Sequence, residues 1–282
     1  MRCAPGWAGK HMARKPHNTV KAYRSRKFLR TPEARPVRML AEYLGPLERF
    51  EDMNIRDTIL VFGSARIQPE EQTRARLEEA QRTGEGLKAA KQAMKLSRYY
   101  EDTRELARRL TEWSKGLDGG ERRFVVCSGG GPGIMEAANR GASDAQGENI
   151  GLGISLPKEQ KNNPYITRKL DFEFHYFFMR KFWFLYTAKA VVLMPGGLGT
   201  LDEMFETLTL IQTGKIQKRL PIVLYGSDFW DRVIDFDALV DFGVIEAEDV
   251  SLFHRSDDVD DAFDFIVSEL AHFAVGKPGL SL

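Results

Sequence analysis

The stretch that decides the fold is KAVVLMPGGLGTLDEMFETLTLIQ, residues 189–212. An apolar run leads into Pro-Gly-Gly-Leu-Gly-Thr, and the carboxylates Asp202 and Glu203 follow at once. A short continuous apolar run bounded by glycines predicts a strand that is buried on both faces of a parallel sheet. The residues after the glycines have a helical pattern. The segment therefore predicts a strand, a glycine loop and a helix in direct succession.

The same plan recurs along the chain. Five apolar runs that stop at Gly, Ser or Pro predict strands, and they lie at 58–65, 123–131, 149–157, 189–197 and 220–227. Helical patterns follow at 132–145, 180–188, 200–214, 228–243 and 257–273. This alternation predicts an α/β fold, a doubly wound, Rossmann-like parallel sheet flanked by helices.

Three segments stand outside this alternation. An amphipathic pattern at 38–52 predicts an N-terminal helical extension, and residues 70–115 predict a helical insertion, formed by one long helix or by two with a break near Gly84 and Gly86. Residues 1–36 hold ten Lys or Arg and one acid. They are interpreted as a basic, flexible, solvated arm before a single domain, 37–282, with an arm that binds an acidic partner as the alternative.

Composition narrows the class of function. The net charge of +1 argues against a protein that mainly coats nucleic acid, so no nucleic-acid partner is expected. The arm lacks the apolar run of a signal peptide or a membrane-spanning helix, so no membrane partner is expected. Cys3 lies in the arm and Cys127 in an apolar run, which argues against a disulfide between them and fits a cytoplasmic location. No Cys/His spacing indicates a metal site.

Three of the predicted strands end in small or glycine-rich segments, at 63–66, 128–133 and 195–200. Parallel strands present their carboxyl ends at one edge of the sheet, where ligands bind. Glycines let backbone amides approach an anion, and a helix N-terminus adds partial positive charge. Two such loops that open helices predict a phosphate-bearing ligand, while tight turns that need glycine remain the alternative. Neither a dinucleotide fingerprint nor a P-loop is present.

Charged side chains near these loops have two interpretations each. Glu203 lies three residues after Thr200, which fits either chemistry or a capping box with Thr200 as the N-cap. Arg180 and Lys181 lie inside the aromatic run FHYFFMRKFWF, residues 174–184. They are either functional cations or two solvent-facing charges on an otherwise buried helix.

Together, GGGPGIMEAANRGA (129–142), MRK (179–181) and PGGLGTLDE (195–203) resemble the Lonely Guy (LOG) family of nucleoside-monophosphate phosphoribohydrolases, whose older name is lysine decarboxylase-like. The family signature reads P-G-G-x-G-T-x-x-E with an upstream Arg-Lys pair. The resemblance extends over residues 55–272 and is to the longer, bacterial-type branch. Glu136 stands where plant members typically have glycine, and no histidine precedes the Arg-Lys pair as it does in them.

The resemblance implies hydrolysis of the N-glycosidic bond of a nucleoside 5′-monophosphate, with AMP or a cytokinin-type riboside monophosphate as the expected substrate. It implies Arg180 and Glu203 as catalytic residues, no cofactor or metal, and a homodimer or larger homo-oligomer. The residues expected to bind substrate or phosphate are Gly63, Ser64, Ser128, Gly129, Gly130, Gly131, Gly133, Met179, Lys181, Pro195, Gly196, Gly197, Gly199 and Thr200.

A non-catalytic carrier or sensor of nucleotides with the same fold is the alternative function. Molybdenum-cofactor carriers are similar in fold and use the same glycine loops. The pair Arg180 and Glu203 favours the enzyme, because binding alone does not require it. Decarboxylation of lysine is not expected, because only the older family name suggests the pyridoxal phosphate that it needs.

Overall fold

The structure is a computed structural model that describes residues 19–117, 120–156 and 162–279. The chain divides into two compact units, residues 1–41 and 42–282. Residues 1–18 of the predicted arm lie outside the described residues. The predicted division into an arm and a domain after residue 36 stays a prediction. Within the described residues, every helix is too short or too polar to cross a membrane.

The second unit is built on a sheet of seven parallel strands in the order β4-β3-β2-β1-β5-β6-β7. All residues of the four strands β1, β2, β5 and β6 are buried, as expected where helices cover both faces of a sheet. The doubly wound α/β prediction and its five strands are confirmed. The strands are β1 (Thr58–Phe62), β2 (Val125–Ser128), β3 (Asn149–Ile154), β4 (Asp171–Phe174), β5 (Ala188–Leu193), β6 (Ile222–Tyr225) and β7 (His254–Ser256).

The two edge strands were missing from the sequence prediction. β4 alternates exposed and buried residues, and β7 has three residues, of which one is fully buried. Neither strand has the continuous apolar run that marks a central strand, because an edge strand packs on fewer neighbours. The sheet therefore contains the five predicted strands and two further strands at its edges.

Ten α-helices are present in the described residues. The four helices predicted at 132–145, 180–188, 200–214 and 257–273 begin and end within about three residues of those bounds. The exception in type is Ala188, which was predicted as helical and is the first residue of β5. The helices are α1 (Arg26–Leu29), α2 (Arg35–Asp52), α3 (Glu70–Thr83), α4 (Leu87–Lys115), α5 (Ile134–Asp144), α6 (Phe177–Thr187), α7 (Leu198–Gln212), α8 (Ser227–Val233), α9 (Phe236–Asp241) and α10 (Val259–Phe273).

Two predictions about helix breaks have different outcomes. The insertion at 70–115 is two helices in series, α3 and α4, separated by left-handed glycines at 84 and 86, as one of the two alternatives had it. The single helix predicted at 228–243 is wrong. It is broken into α8 and α9, because Ile234 is extended and Asp235 caps α9 by accepting a hydrogen bond from the Ala238 amide at 2.9 Å.

Apolar side chains cover both faces of the sheet. Successive residues of β1 point to opposite faces, so Leu60 packs in the cluster that contains Trp183 of α6 and Met204 of α7. Ile59 packs in the other cluster, with Leu110 of α4 and side chains of α5 and α10. These two apolar clusters hold the helices that carry the candidate site against the sheet.

Candidate active site

A cavity of about 830 Å³ opens at the carboxyl edge of the sheet, beside the ends of β1 and β5. The chain continues from β1 to one side of the sheet and from β5 to the other, and such a switch point leaves a ligand-binding crevice in α/β proteins. The wall is formed by three loops and five helices. Its described residues are Phe62, Gly63, Ser64, Ala65, Arg66, Ile67, Gln92, Leu96, Gly129, Met135, Phe177, Arg180, Pro195, Gly196, Gly197, Leu198, Gly199, Thr200, Asp202, Glu203 and Phe229.

The structure brings ten of the sixteen predicted site residues to this wall. They are Gly63, Ser64, Gly129, Arg180, Pro195, Gly196, Gly197, Gly199, Thr200 and Glu203. The other six lie behind it or beside it. They are Ser128, Gly130, Gly131, Gly133, Met179 and Lys181.

Polar groups behind the wall hold the loop after β2. The Ser128 hydroxyl donates to Asn139 Oδ1 at 2.7 Å and accepts from the Gly130 amide at 3.1 Å. The Asn163 side chain donates to the carbonyls of Gly130 and Gly131, at 3.0 and 3.2 Å. These contacts give three of the six residues a structural role, since buried polar groups are normally satisfied in this way. Sequence reasoning did not identify the two asparagines.

Gly133 joins two of the loops. Its φ is 72°, in the left-handed region, and a Cβ at this position would lie 2.4 Å from the Ser64 carbonyl oxygen. The next amide, of Ile134, donates to that same oxygen at 3.1 Å. Glycine is required here because the loop after β1 and the start of α5 approach so closely.

The loop after β5 opens α7 with Gly197 as the N-cap. The amides of Thr200 and Leu201 both donate to the Gly197 carbonyl at 3.0 Å, so Thr200 is already inside the helix. No side chain caps α7. The capping-box interpretation, with Thr200 as N-cap and Glu203 at its third position, is therefore wrong.

Two glycines of this loop have open space where a side chain would be. A Cβ at Gly197 or Gly199 would have no atom within 4 Å, and neither residue has a left-handed φ. Neither packing nor backbone conformation therefore requires glycine at these positions. The amides of Leu198 and Gly199 come before the first hydrogen bond of α7, so they have no partner within the helix. The space and the amides together suit an anion.

Glu203 lies one turn further along α7 and is 4% exposed. Its Oε2 has no hydrogen-bond partner among the described residues. Burial raises the pKa of this carboxyl to about 7, and the positive charges of Lys181 and Arg180 oppose that rise. Such a group changes between acid and carboxylate near neutral pH.

Arg180 reaches the cavity from α6. Its guanidinium lies over the Phe184 ring, 5.1 Å from the centroid, and its Nε has no hydrogen-bond partner among the described residues. Burial lowers the pKa of Arg180, while the charge of Glu203 raises it. An unsatisfied buried donor and an unsatisfied buried acceptor thus share one cavity, which is unusual unless a ligand completes them.

Contacts with Glu42 anchor α6, the helix that carries Arg180. The Glu42 carboxylate accepts from the amides of His175 and Tyr176, at 2.9 and 3.2 Å. The Trp183 indole donates to the Glu42 carbonyl at 3.0 Å. Met179, which was expected to bind substrate, instead packs against the apolar core.

Lys181 does not reach the cavity wall. Its Nζ contacts Asp202 Oδ2 at 2.7 Å and Glu206 Oε2 at 2.8 Å, so it ties α6 to α7. The interpretation of Arg180 and Lys181 as two solvent-facing charges is wrong, because the side chain of Lys181 is 16% exposed and Arg180 is half-buried, with its Nε shielded from solvent.

Several wall residues were not among the predicted site residues. Phe177 and Asp202 lie next to motifs that the sequence identifies. Gln92 and Leu96 come from α4 and Phe229 from α8, where nothing in the local pattern indicates a site. Among the described residues, no group of three or more His, Cys, Asp or Glu side chains is placed to hold a metal ion.

Residues 135–266 match a family model described as "Possible lysine decarboxylase". The match covers both the Arg-Lys pair and the Pro-Gly-Gly-x-Gly-Thr-x-x-Glu motif. It confirms the resemblance drawn from those motifs. A comparison with curated proteins finds no match.

Solved structures with a similar fold include that of TM1055, determined by X-ray crystallography. It is 20% identical over 75% of this chain and 99% of that chain, with a TM-score of 0.46. Another is the Moco carrier protein from Chlamydomonas reinhardtii, 19% identical over 77% of this chain and 99% of that chain, with a TM-score of 0.43. At such low identities and TM-scores, the likeness carries no conclusion about function.

Proposed function

We propose that this protein hydrolyses the N-glycosidic bond of a nucleoside 5′-monophosphate and releases the free base and ribose 5-phosphate. The observation that carries the proposal is the buried, unpartnered carboxylate of Glu203 in the same cavity as the open, glycine-rich start of α7. Glu203 lies six residues after Gly197, which is roughly 9 Å along the helix axis. In a nucleoside 5′-monophosphate, the distance from the phosphate across the ribose to the anomeric carbon is of that order.

The 5′-phosphate is proposed to bind at the first turn of α7. Backbone amides and the partial positive charge of the helix N-terminus stabilise an anion there. The Thr200 hydroxyl is beside this loop, since a Cβ on Gly196 would lie 2.1 Å from Thr200 Oγ1. Anchoring the phosphate positions the sugar over Glu203, and such positioning lowers the barrier by removing the entropy cost of encounter.

Glu203 is proposed to act on the anomeric carbon. As the base leaves, positive charge develops on the sugar, and a nearby carboxylate stabilises it. The oxygen of a water molecule bonds to C1′, the electron pair of the C1′–N bond goes to the base, and Glu203 takes a proton from the water. The departing base nitrogen takes up a proton from solvent, and Glu203 returns its proton to solvent, so that the free base is released and the carboxylate is restored. With a pKa of about 7, the carboxylate form is available at neutral pH.

Arg180 is proposed to hold the Glu203 carboxylate in position or to contact the substrate. Its unpartnered Nε is a donor without an acceptor in the described residues, and its charge favours the ionised form of Glu203. A substrate oxygen or a rotated carboxylate would satisfy that donor.

The name of the matched family raises decarboxylation of lysine as another reaction. The usual cofactor for that reaction, pyridoxal phosphate, forms a Schiff base with a lysine. No lysine is among the described residues of the cavity wall. This arrangement favours a nucleotide hydrolase over a decarboxylase.

The test is release of free base from AMP, GMP, CMP, UMP and isopentenyl-AMP, measured with the purified full chain. We expect release from AMP or isopentenyl-AMP, with ribose 5-phosphate as the second product. The matching nucleosides are the control. They should give no release, because they lack the phosphate that positions the sugar.

Two results would contradict the proposal. Equal release from nucleosides and monophosphates would remove the role of the phosphate site. Tight binding of nucleotides without any release would favour the alternative, a carrier or sensor. The cytoplasmic location drawn from the two cysteines stays a prediction.

We also propose that the protein is a homodimer or a larger homo-oligomer. Large apolar side chains on α6 and α7 remain exposed in one copy of the chain, and the bridges of Lys181 hold these helices side by side. An exposed apolar patch of this kind marks an interaction surface. Its residues are Phe177, Phe178, Leu198 and Phe205, of which Leu198 is 86% exposed.

Light scattering during gel filtration tests the oligomer. We expect the mass of at least a dimer for the natural chain, and the mass of a monomer for Phe178→Arg or Phe205→Arg, which lie off the cavity wall. Phe242→Arg, also at an exposed aromatic residue, is the control and should keep the natural mass. A monomeric natural chain would exclude this part of the proposal.

A further inference from the structure

Part of the cavity wall is formed by residues that belong to neither glycine loop. Gln92 and Leu96 come from α4, which is part of the insertion, and Phe229 comes from α8. The proposed phosphate site and Glu203 account for the part of the cavity wall that α7 forms. Under the proposed function, the remaining group of the substrate is the base.

Helix α4 is locked against the connection between β6 and α8. The ring of Tyr99 packs so closely on Gly226 that a Cβ there would lie 2.8 Å from Tyr99 Cε1. The Tyr225 hydroxyl donates to Asp102 Oδ2 at 3.0 Å, and Lys95 Nζ lies 3.9 Å from Asp228 Oδ2. These contacts fix the register of α4 relative to α8.

The spacing along α4 then places Gln92 in the wall. Gln92, Leu96 and Tyr99 are four and seven residues apart, so they share one face of the helix. Tyr99 presses that face onto Gly226. Gln92 and Leu96 extend the same face along the cavity, where Phe229 is also part of the wall.

Gln92 has the free hydrogen-bonding capacity that a base requires. The wall has three uncharged polar side chains in its described part, Ser64, Gln92 and Thr200. The Ser64 hydroxyl accepts from the Arg66 amide at 3.1 Å, and Thr200 belongs to the phosphate end. Gln92 forms no hydrogen bond with another described residue. Leu96 and Phe229 supply apolar surface for a flat ring.

We propose that Gln92 is a specificity-determining residue that reads the edge of the nucleobase, and that it selects adenine over guanine. A carboxamide has one donor next to one acceptor, which pairs with the N6 amino group and N7 of adenine. The same edge of guanine has two acceptors, N7 and O6, and one of them would face the carboxamide oxygen. This inference rests on the proposed function for the orientation of the nucleotide.

The test is the dissociation constant of the natural chain and of Gln92→Leu for AMP, GMP and ribose 5-phosphate. Gln92→Leu should weaken the binding of AMP about fivefold or more, because the discrimination by one bidentate pair begins near that factor. The affinity for ribose 5-phosphate should change less than twofold. Gln92→Arg should move the preference to GMP, because arginine pairs with O6 and N7 of guanine.

Gln81→Leu, at an exposed glutamine of α3 outside the cavity wall, is the matched control and should change none of the three constants. Gln92 is itself exposed, so its variants should keep the natural melting temperature. Equal loss for AMP, GMP and ribose 5-phosphate, or no loss for AMP, would overturn the inference. Binding separates the two proposals: AMP-selective binding that needs Gln92, without base release, would refute the hydrolase alone.

Discussion

Replacing Glu203 by Gln is expected to lower base release by about a thousandfold, within the 10²–10⁴ range of acid–base catalysis. Gln keeps the size and polarity of the side chain but cannot carry the negative charge or accept the proton. The fold should persist, because Glu203 Oε2 has no partner among the described residues that the change would break. Single-turnover kinetics with AMP would measure the loss.

The pH dependence of the natural enzyme supplies an independent check of the same residue. Burial raises the pKa of Glu203 to about 7, so the group is protonated below that pH and ionised above it. Catalysis requires the ionised form. We therefore expect kcat to rise about tenfold per pH unit below pH 7 and to level off above it. The residual activity of Glu203→Gln should lack this rise.

Glu206→Gln is the matched control, because Glu206 lies one turn further on the same helix and off the cavity wall. Its carboxylate contacts Lys181, which keeps a second carboxylate partner in Asp202. We expect Glu206→Gln to lower the activity by less than about fivefold, because partly exposed ion pairs contribute little. If Glu203→Gln retained a tenth or more of the natural rate, the proposed catalytic role of Glu203 would be wrong.

The central part of the fold was predictable because its physical cause is local. Strands β1, β5 and β6 are buried on both faces, so their sequences are continuous apolar runs. The edge strands carry a different signal. Two of the four residues of β4 are exposed, and whether such a segment is a strand depends on the neighbour that it pairs with.

The same distinction between local and long-range causes applies to the candidate site. Its phosphate end was predictable, because the glycine loops and Glu203 lie together in the sequence and at the ends of central strands. The partners of the motif residues were not. Asn163 and Lys181 find their acceptors more than twenty residues away, and only the fold brings them together.

The base end lacked any signal for a similar reason. Which face of the long helix α4 covers the cavity is decided by Tyr99 on Gly226, a contact between residues that are far apart in the chain. The sequence indicates an insertion with helical pattern and no more. The proposed role of Gln92 therefore depends on the structure alone.

The second large effect is expected at the phosphate end, from Gly199→Ala. The change should weaken the binding of ribose 5-phosphate by about 10- to 100-fold. That range corresponds to one or two charge-assisted hydrogen bonds of about 1.5 kcal/mol each or a little less. A Cβ at this position projects into open space at the cavity wall, so it meets no protein atom within 4 Å and occupies room that the phosphate would use.

The same substitution should not destabilise the protein. Gly199 is helical and lies outside the left-handed region, and glycine inside a helix costs about 0.5–1 kcal/mol relative to alanine. The melting temperature should stay constant or rise while affinity falls, a combination that general damage to the fold cannot produce. Isothermal titration with ribose 5-phosphate and thermal unfolding of the same sample measure both quantities.

Gly276→Ala is the control for the phosphate site. A Cβ there also meets no atom within 4 Å, and its φ is also outside the left-handed region, but it lies away from the cavity. It should leave the affinity unchanged. Unchanged affinity in Gly199→Ala as well would mean that the open glycines of the α7 loop do not receive a phosphate. Glu203 would then face a cavity without an anchor for the substrate proposed, and a ligand without phosphate would be the better candidate.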